Sequence, residues 1–297
     1  MFLQIHIEQE IKMRKNFAQI LSEAKVDIKK EYYKLYQLFY CEELNSQTER
    51  YESVYNLLEH YFTNFYFRGT CLSLQEFDEL NGFSFEKEPQ DFSIEILVSL
   101  MEYIYNLSIA YQSMQFNMQW GYMNNFNLSF LLDQVRRVCE SISYMETKDS
   151  GFAVFVEKSP TAIAVAESEL IPKDFSYKVI SYNHHSMKGN LNAKKETLLA
   201  LANILEGKRK ALKKANSALE DDLFFIFNKF NLRHNNCDPG TKKYISVIAE
   251  MDKQSLEEWY DETYQMCLLA FMEIEHAERK IKFNSIKKEI EEKKPDF

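Results

Sequence analysis

The stretch "NAKKETLLALANILEGKRKALKKANSALEDDLFFIFNKFNLRHNN", residues 192–236, decides the fold. In its first half Leu198, Leu201, Ala202, Leu205 and Leu212 recur at helical spacing and share one side. In its second half Leu219, Leu223, Phe227 and Phe230 form another such face, and Ser217 with Glu220 stands at capping-box spacing. Two apolar-faced helices separated by a short break predict an antiparallel helical hairpin. The stretch ends on "NLRHNN", residues 231–236, an arginine, a histidine and asparagines in a row. Such groups are costly near a core unless every one is paired, and they are also the groups that grip a phosphate and move a proton.

Upstream and downstream the same periodicity continues. "FAQILSEAKVDIKKEYYKLYQLFY" sets Phe17, Ile20, Leu21, Ala24, Ile28, Tyr32, Leu35 and Phe39 on one face, and "ERYESVYNLLEHYFTNF" sets Tyr51, Val54, Tyr55, Leu58 and Phe62 on another. "SIEILVSLMEYIYNLSIAYQSM", residues 93–114, is apolar nearly all round, which predicts a central, widely buried helix. "NLSFLLDQVRRVCESISYM" carries Leu128, Leu131, Leu132, Val135, Val138 and Ile142 as its stripe. Near the end, "SLEEWYDETYQMCLLAFMEIEHAERKIKF" opens on Ser255 and Glu258 at capping-box spacing, and the charged "IKKEIEEKKPDF" predicts a helical tail in solvent.

One segment breaks the pattern. In "GFAVFVEKSPTAIAVAES", Phe152, Val154 and Val156 alternate before "KSP", and Ile163 and Val165 alternate after it. Period-two alternation around a turn-compatible Ser-Pro predicts a β-hairpin or two short strands. The expected fold class is therefore mainly α: a helical bundle with one small β-hairpin insertion. Residues 1–146 form a helical N-terminal region, 147–172 a β-hairpin connector and 173–297 a second helical bundle.

Composition agrees. The 297 residues are 45% hydrophobic with only 7 Gly and 5 Pro, enough for a large core and too few turn residues for a sandwich or barrel. A net charge of −9 argues against a broad nucleic-acid-coating surface. Cys41, Cys71, Cys139, Cys237 and Cys267 are scattered and odd in number, which reads as reduced thiols. No stretch is apolar enough to span a membrane and none reads as a signal peptide, so the expectation is a cytoplasmic protein without a membrane partner.

No Gly-rich phosphate loop, G-x-S-x-G or H-E-x-x-H occurs, and the six histidines show no pair at helical spacing. No metal site and no cofactor is expected. Two polar clusters remain: "SYNHHSMK", with Asn183, His184, His185 and Lys188, and "NLRHNN", with Arg233, His234, Asn235 and Asn236. An antiparallel hairpin would bring the two together at one end. Joined, they would suit metal-free phosphodiester cleavage: histidine for proton transfer, arginine for the phosphate, asparagine for orientation. The structural alternative is that Arg233 and His234 cap a helix C-terminus, with Asn235 and Asn236 in left-handed geometry. His184 and His185 would then belong to a loop ahead of a helix, "GKRKALKK" to a solvated face, and Trp259, Tyr260 and Tyr264 to core and rim packing.

The C-terminal third, on the Leu-rich helix, "DDLFFIFNKFNLRHNN" and the "EEWYDETYQMCLLAFMEI" helix, resembles the HEPN superfamily of abortive-infection and toxin proteins. That resemblance implies a metal-independent endoribonuclease acting as a homodimer, with RNA as substrate and a phage or host protein as trigger. Arg233 matches the family's motif arginine and His234 the polar residue after it. Where the distal histidine belongs, this chain has Asp238, Pro239 and Gly240. Two readings follow: a dimeric RNase using Arg233 and His234 as catalytic residues and Asn235, Asn236, Asn183, His184, His185 and Lys188 to bind substrate, or a non-catalytic α-helical scaffold or sensor.

Overall fold

The computed structural model describes residues 26–45, 50–84, 89, 91–118 and 128–292. Among them the chain is mainly α, with small antiparallel hairpins as its β structure. Phe17, Ile20, Leu21 and Ala24 of the expected first apolar face lie outside the described residues.

The N-terminal core is built by α1 (Ile28–Tyr40), α2 (Val54–Tyr61), α3 (Leu74–Leu80), α4 (Ile94–Met118) and α5 (Leu128–Ser141). Asp27, Ser53 and Ser73 accept from the backbone N–H three residues on, capping α1, α2 and α3. As its composition requires, α4 is buried on several sides: Leu97, Val98, Leu100, Met101, Ile104, Tyr105 and Leu107 all belong to this core. A three-residue ladder, β1 (Glu43–Asn45) with β2 (Arg50–Glu52), joins α1 to α2; the sequence pattern did not announce it.

The second hairpin sits elsewhere than "KSP". β3 (Tyr144–Asp149) pairs with β4 (Phe152–Glu157) around Ser150 and Gly151, both at positive φ. The expected strand through Ile163 and Val165 is instead a helix, α6 (Pro160–Ala166). Ser159 accepts from Ala162 N–H and Pro160 occupies the first turn, so Ser-Pro here starts a helix. This divides the expected connector: Ala153 and Phe155 pack into the N-terminal core, whereas Ala162, Val165 and Ala166 pack into a second, C-terminal one.

That second core lies between α6, α7 (Ser176–Ser181), α8 (Leu191–Ala215), α9 (Ser217–Lys229) and α11 (Lys253–Glu292), with the one-turn α10 (Ser246–Ala249) between α9 and α11. α8 and α9 form the expected antiparallel hairpin, but neither expected capping box forms. Asn216, extended between the two helices, caps α9 by accepting from Leu219 N–H, and Asp252 caps α11 by accepting from Ser255 N–H. Both helices begin earlier than the serines suggested. Glu220, freed from capping, is wholly buried and receives Arg209 and Lys213 from α8, tying the hairpin together. α11 is 40 residues long, roughly 60 Å of helix. Its buried face ends at Ile274, and the expected tail continues with Ile281, Phe283, Ile286 and Ile290 exposed.

Candidate functional site

The loop after α9 is closed on itself. Phe230 ends the helix and Asn231 takes the left-handed conformation, φ 55°. The left-handed residue is thus Asn231, in place of Asn235 or Asn236. Arg233 N–H turns back to the Phe227 carbonyl at 3.0 Å. Its guanidinium donates to the Ala202 carbonyl (3.1 Å), pairs with Glu206 (2.7 Å) and lies over the rings of Phe224 and Phe227. Asn236 is 1% exposed. Its side chain accepts from Asn231 N–H (3.0 Å) and donates to the Lys243 carbonyl (2.8 Å), while its own carbonyl accepts from Ile245 N–H. Asn235 is exposed, its carbonyl taking the Thr241 hydroxyl. In the "DPG" turn, Asp238 accepts from Gly240 N–H.

His234 lies at the rim. Its Nε2 is 2.7 Å from Lys243 Nζ, which needs that nitrogen unprotonated. Desolvation first, then Lys243, Arg233 and Lys229, hold its pKa below the usual histidine value.

The other cluster is placed by the free edge of β4. Three alternate N–H groups of this strand point away from β3, and each finds a partner. Ala153 N–H donates to the Asn106 side chain (2.8 Å), Phe155 N–H to Glu102 Oε1 (2.6 Å) and Glu157 N–H to the Asn183 carbonyl (3.3 Å). Asn106 and Glu102, one turn apart on α4, thus act as a substitute strand that covers an exposed edge. The same edge fixes Glu102 beside Asn183, and so beside the turn that follows Asn183.

In that turn His184 Nε2 meets Glu102 Oε1 at 3.0 Å, and its Nδ1 meets the Ser186 hydroxyl at 2.7 Å and Ser186 N–H at 3.2 Å. His185 stands against His184, ring centres 4.2 Å apart. Its Nε2 is buried with no hydrogen-bond partner. Burial, with His184 second, pushes the His185 pKa down, against an opposing pull from Glu102 and Glu95. Lys188 reaches across to Glu95 (2.9 Å). The three side chains Glu102, His184 and His185 border a cleft of about 580 Å³ walled by Phe67, Phe77, Phe83, Tyr103 and Phe152. The cleft lies on the seam between the two cores, a common position for binding sites.

The expected meeting of the two clusters does not occur. Among the described residues no hydrogen bond, ion pair or ring contact joins 183–188 to 231–236. The helical hairpin is as expected, but Arg233 docks on Ala202 and Glu206, roughly 16–22 Å along α8 from its first residue. The histidine turn faces α4 and β4 instead. The sequence expectation also left out Glu102, which is 82 positions from His184; a search for histidines at helical spacing has no means of finding it. Lys194 was missed too: it is buried, salt-bridged to Glu257 (2.7 Å) and Asp261 (2.6 Å), and lies over Tyr182. It anchors α8 to α11 beneath the stacked Tyr182 and Tyr264 rings.

Comparison with protein-family models, curated proteins and solved structures finds no significant match. The site has to be read from its own residues. Among those described, no helix is long and apolar enough to cross a membrane.

Proposed function

We propose that the chain is a HEPN-like helical sensor or scaffold, working through protein contacts in the defence setting that the resemblance implies, and that its 231–236 loop is structural. One observation carries this reading. The Arg233 guanidinium is engaged inside its own chain, by the Ala202 carbonyl, Glu206 and two phenylalanine rings. An arginine that stabilises a transition state must present its donors to substrate; this one closes a helix terminus against the neighbouring helix. Support for an interaction role comes from the distal part of α11, where Ile281, Phe283, Ile286 and Ile290 are left exposed.

The RNase reading keeps one specific observation of its own: His234 lies by Lys243, Lys229 and Arg233, a cationic neighbourhood in which a neutral imidazole is favoured. A single series separates the two. Arg233→Ala should lower unfolding stability by about 1–2 kcal/mol, the sum of a lost carbonyl bond, a half-exposed ion pair and ring packing. Purified wild-type protein should leave single-stranded RNA intact. Cleavage that disappears in Arg233→Ala and His234→Ala at unchanged melting temperature would overturn the structural reading in favour of the nuclease.

A further inference from the structure

We propose that Glu102, His184 and His185 form a binding site for a divalent first-row transition metal, zinc being the natural occupant, on the seam between the two cores. This goes beyond the sensor reading and does not depend on it.

The donor set comes first. One ligand atom from each of the three side chains can be chosen so that all lie within 4.8 Å of one another. Two imidazoles and a carboxylate are a borderline-soft set that suits zinc and disfavours magnesium or calcium, which ask for oxygen. Zinc bonds of about 2.0–2.2 Å in a tetrahedron bring ligand atoms to roughly 3.3 Å apart. His184 Nε2 and Glu102 Oε1 are already at 3.0 Å, and a His185 nitrogen lies within 4.8 Å of ligand atoms on both residues.

The supports come second. Glu102 is held by Phe155 N–H, and His184 by Ser186. With a metal on His184 Nε2, the ring proton moves to Nδ1, where the Ser186 hydroxyl at 2.7 Å is placed to accept it. This is the outer-layer hydrogen bond that orients metal-bound histidines. Ser186 N–H, which shares that Nδ1 at 3.2 Å, gives up this acceptor when the proton moves there.

His185 itself carries a third sign of a ligand. His185 Nε2 is buried and unpartnered. A buried polar atom without a partner is costly and rare in folded proteins; a metal ion satisfies it. Three protein ligands beside an open aromatic-walled cleft leave a further coordination position facing that cleft.

The test uses the full-length protein, stripped with a chelator and titrated with zinc against a chromophoric competitor. Wild type should bind one zinc, and cobalt in its place should give a visible spectrum of nitrogen and oxygen ligation without a thiolate charge-transfer band. His185→Leu and Glu102→Gln should each weaken zinc by at least about tenfold, whereas His234→Ala should bind as wild type does. Gln keeps an oxygen for Phe155 N–H, and His185→Leu removes a buried unpaired atom, so both should fold; circular dichroism of the metal-free proteins checks this. Unchanged affinity in a folded His185→Leu, failure of wild type to bind equimolar zinc, or a thiolate band from the free cysteines would each overturn the assignment.

Discussion

The two histidine-bearing loops differ in what their polar groups are doing. In 231–245 most polar groups are used within the chain: Asn236 staples both ends of the loop, Arg233 is locked onto α8 and His234 leans on Lys243, while the buried Asn231 Oδ1 is left without a partner. In 183–188 the backbone is equally well held, yet Asn183 Nδ2 and His185 Nε2 are buried with nothing to bond, and His185 stands within ligand distance of His184 and Glu102. A row of polar residues is therefore a weak guide to chemistry. A better guide is a held side chain with an unspent atom that also stands among other ligand groups, because the fold has positioned the set and left its bonding capacity open.

The contrast can be broken most forcefully at Asn236. Asn236→Ala should cost about 3 kcal/mol, since it leaves Asn231 N–H and the Lys243 carbonyl without partners and opens a small void. Asn235→Ala, one residue away and exposed, should stay within about 0.5 kcal/mol of wild type. Urea denaturation of the pair reads this directly; similar losses would mean that the loop is not closed as described.

A smaller effect is expected from His234. Its pKa is lowered in the folded protein, so near pH 6.5 the unfolded chain takes up a proton that the folded loop resists. The resulting stability is complete above that pH and is lost as pH falls through the window below it. His234→Gln should therefore flatten part of the decline in melting temperature between pH 7 and pH 5. An identical decline in wild type and variant would show that the folded loop does not hold the ring neutral.

How much could be read in advance follows from the range of the forces involved. The apolar stripes of α5, α8 and α9 were legible because periodicity is local and burial enforces it: Val135, Leu205 and Leu223 are all fully buried as their spacing demanded. Short-range capping was legible only in kind. Ser217 and Ser255 looked like caps, but Asn216 and Asp252 won by extending each helix backwards. Ser159-Pro160 reads locally as a turn, but it starts a helix, and packing of Ala162 and Val165 into the C-terminal core goes with that helix. Of the candidate site, Arg233 and the histidine turn were visible as polar residues, but their partners were not. Ala202, Glu206 and Glu102 are brought to them by tertiary packing, over separations that no local pattern encodes.

The difference between the loops is tested most directly by following the histidine ring resonances by NMR as equimolar zinc is added to the metal-free protein. His184 and His185 are expected to shift together while His234 stays in place. A shift of His234 with His184 and His185 unmoved would contradict the assignment.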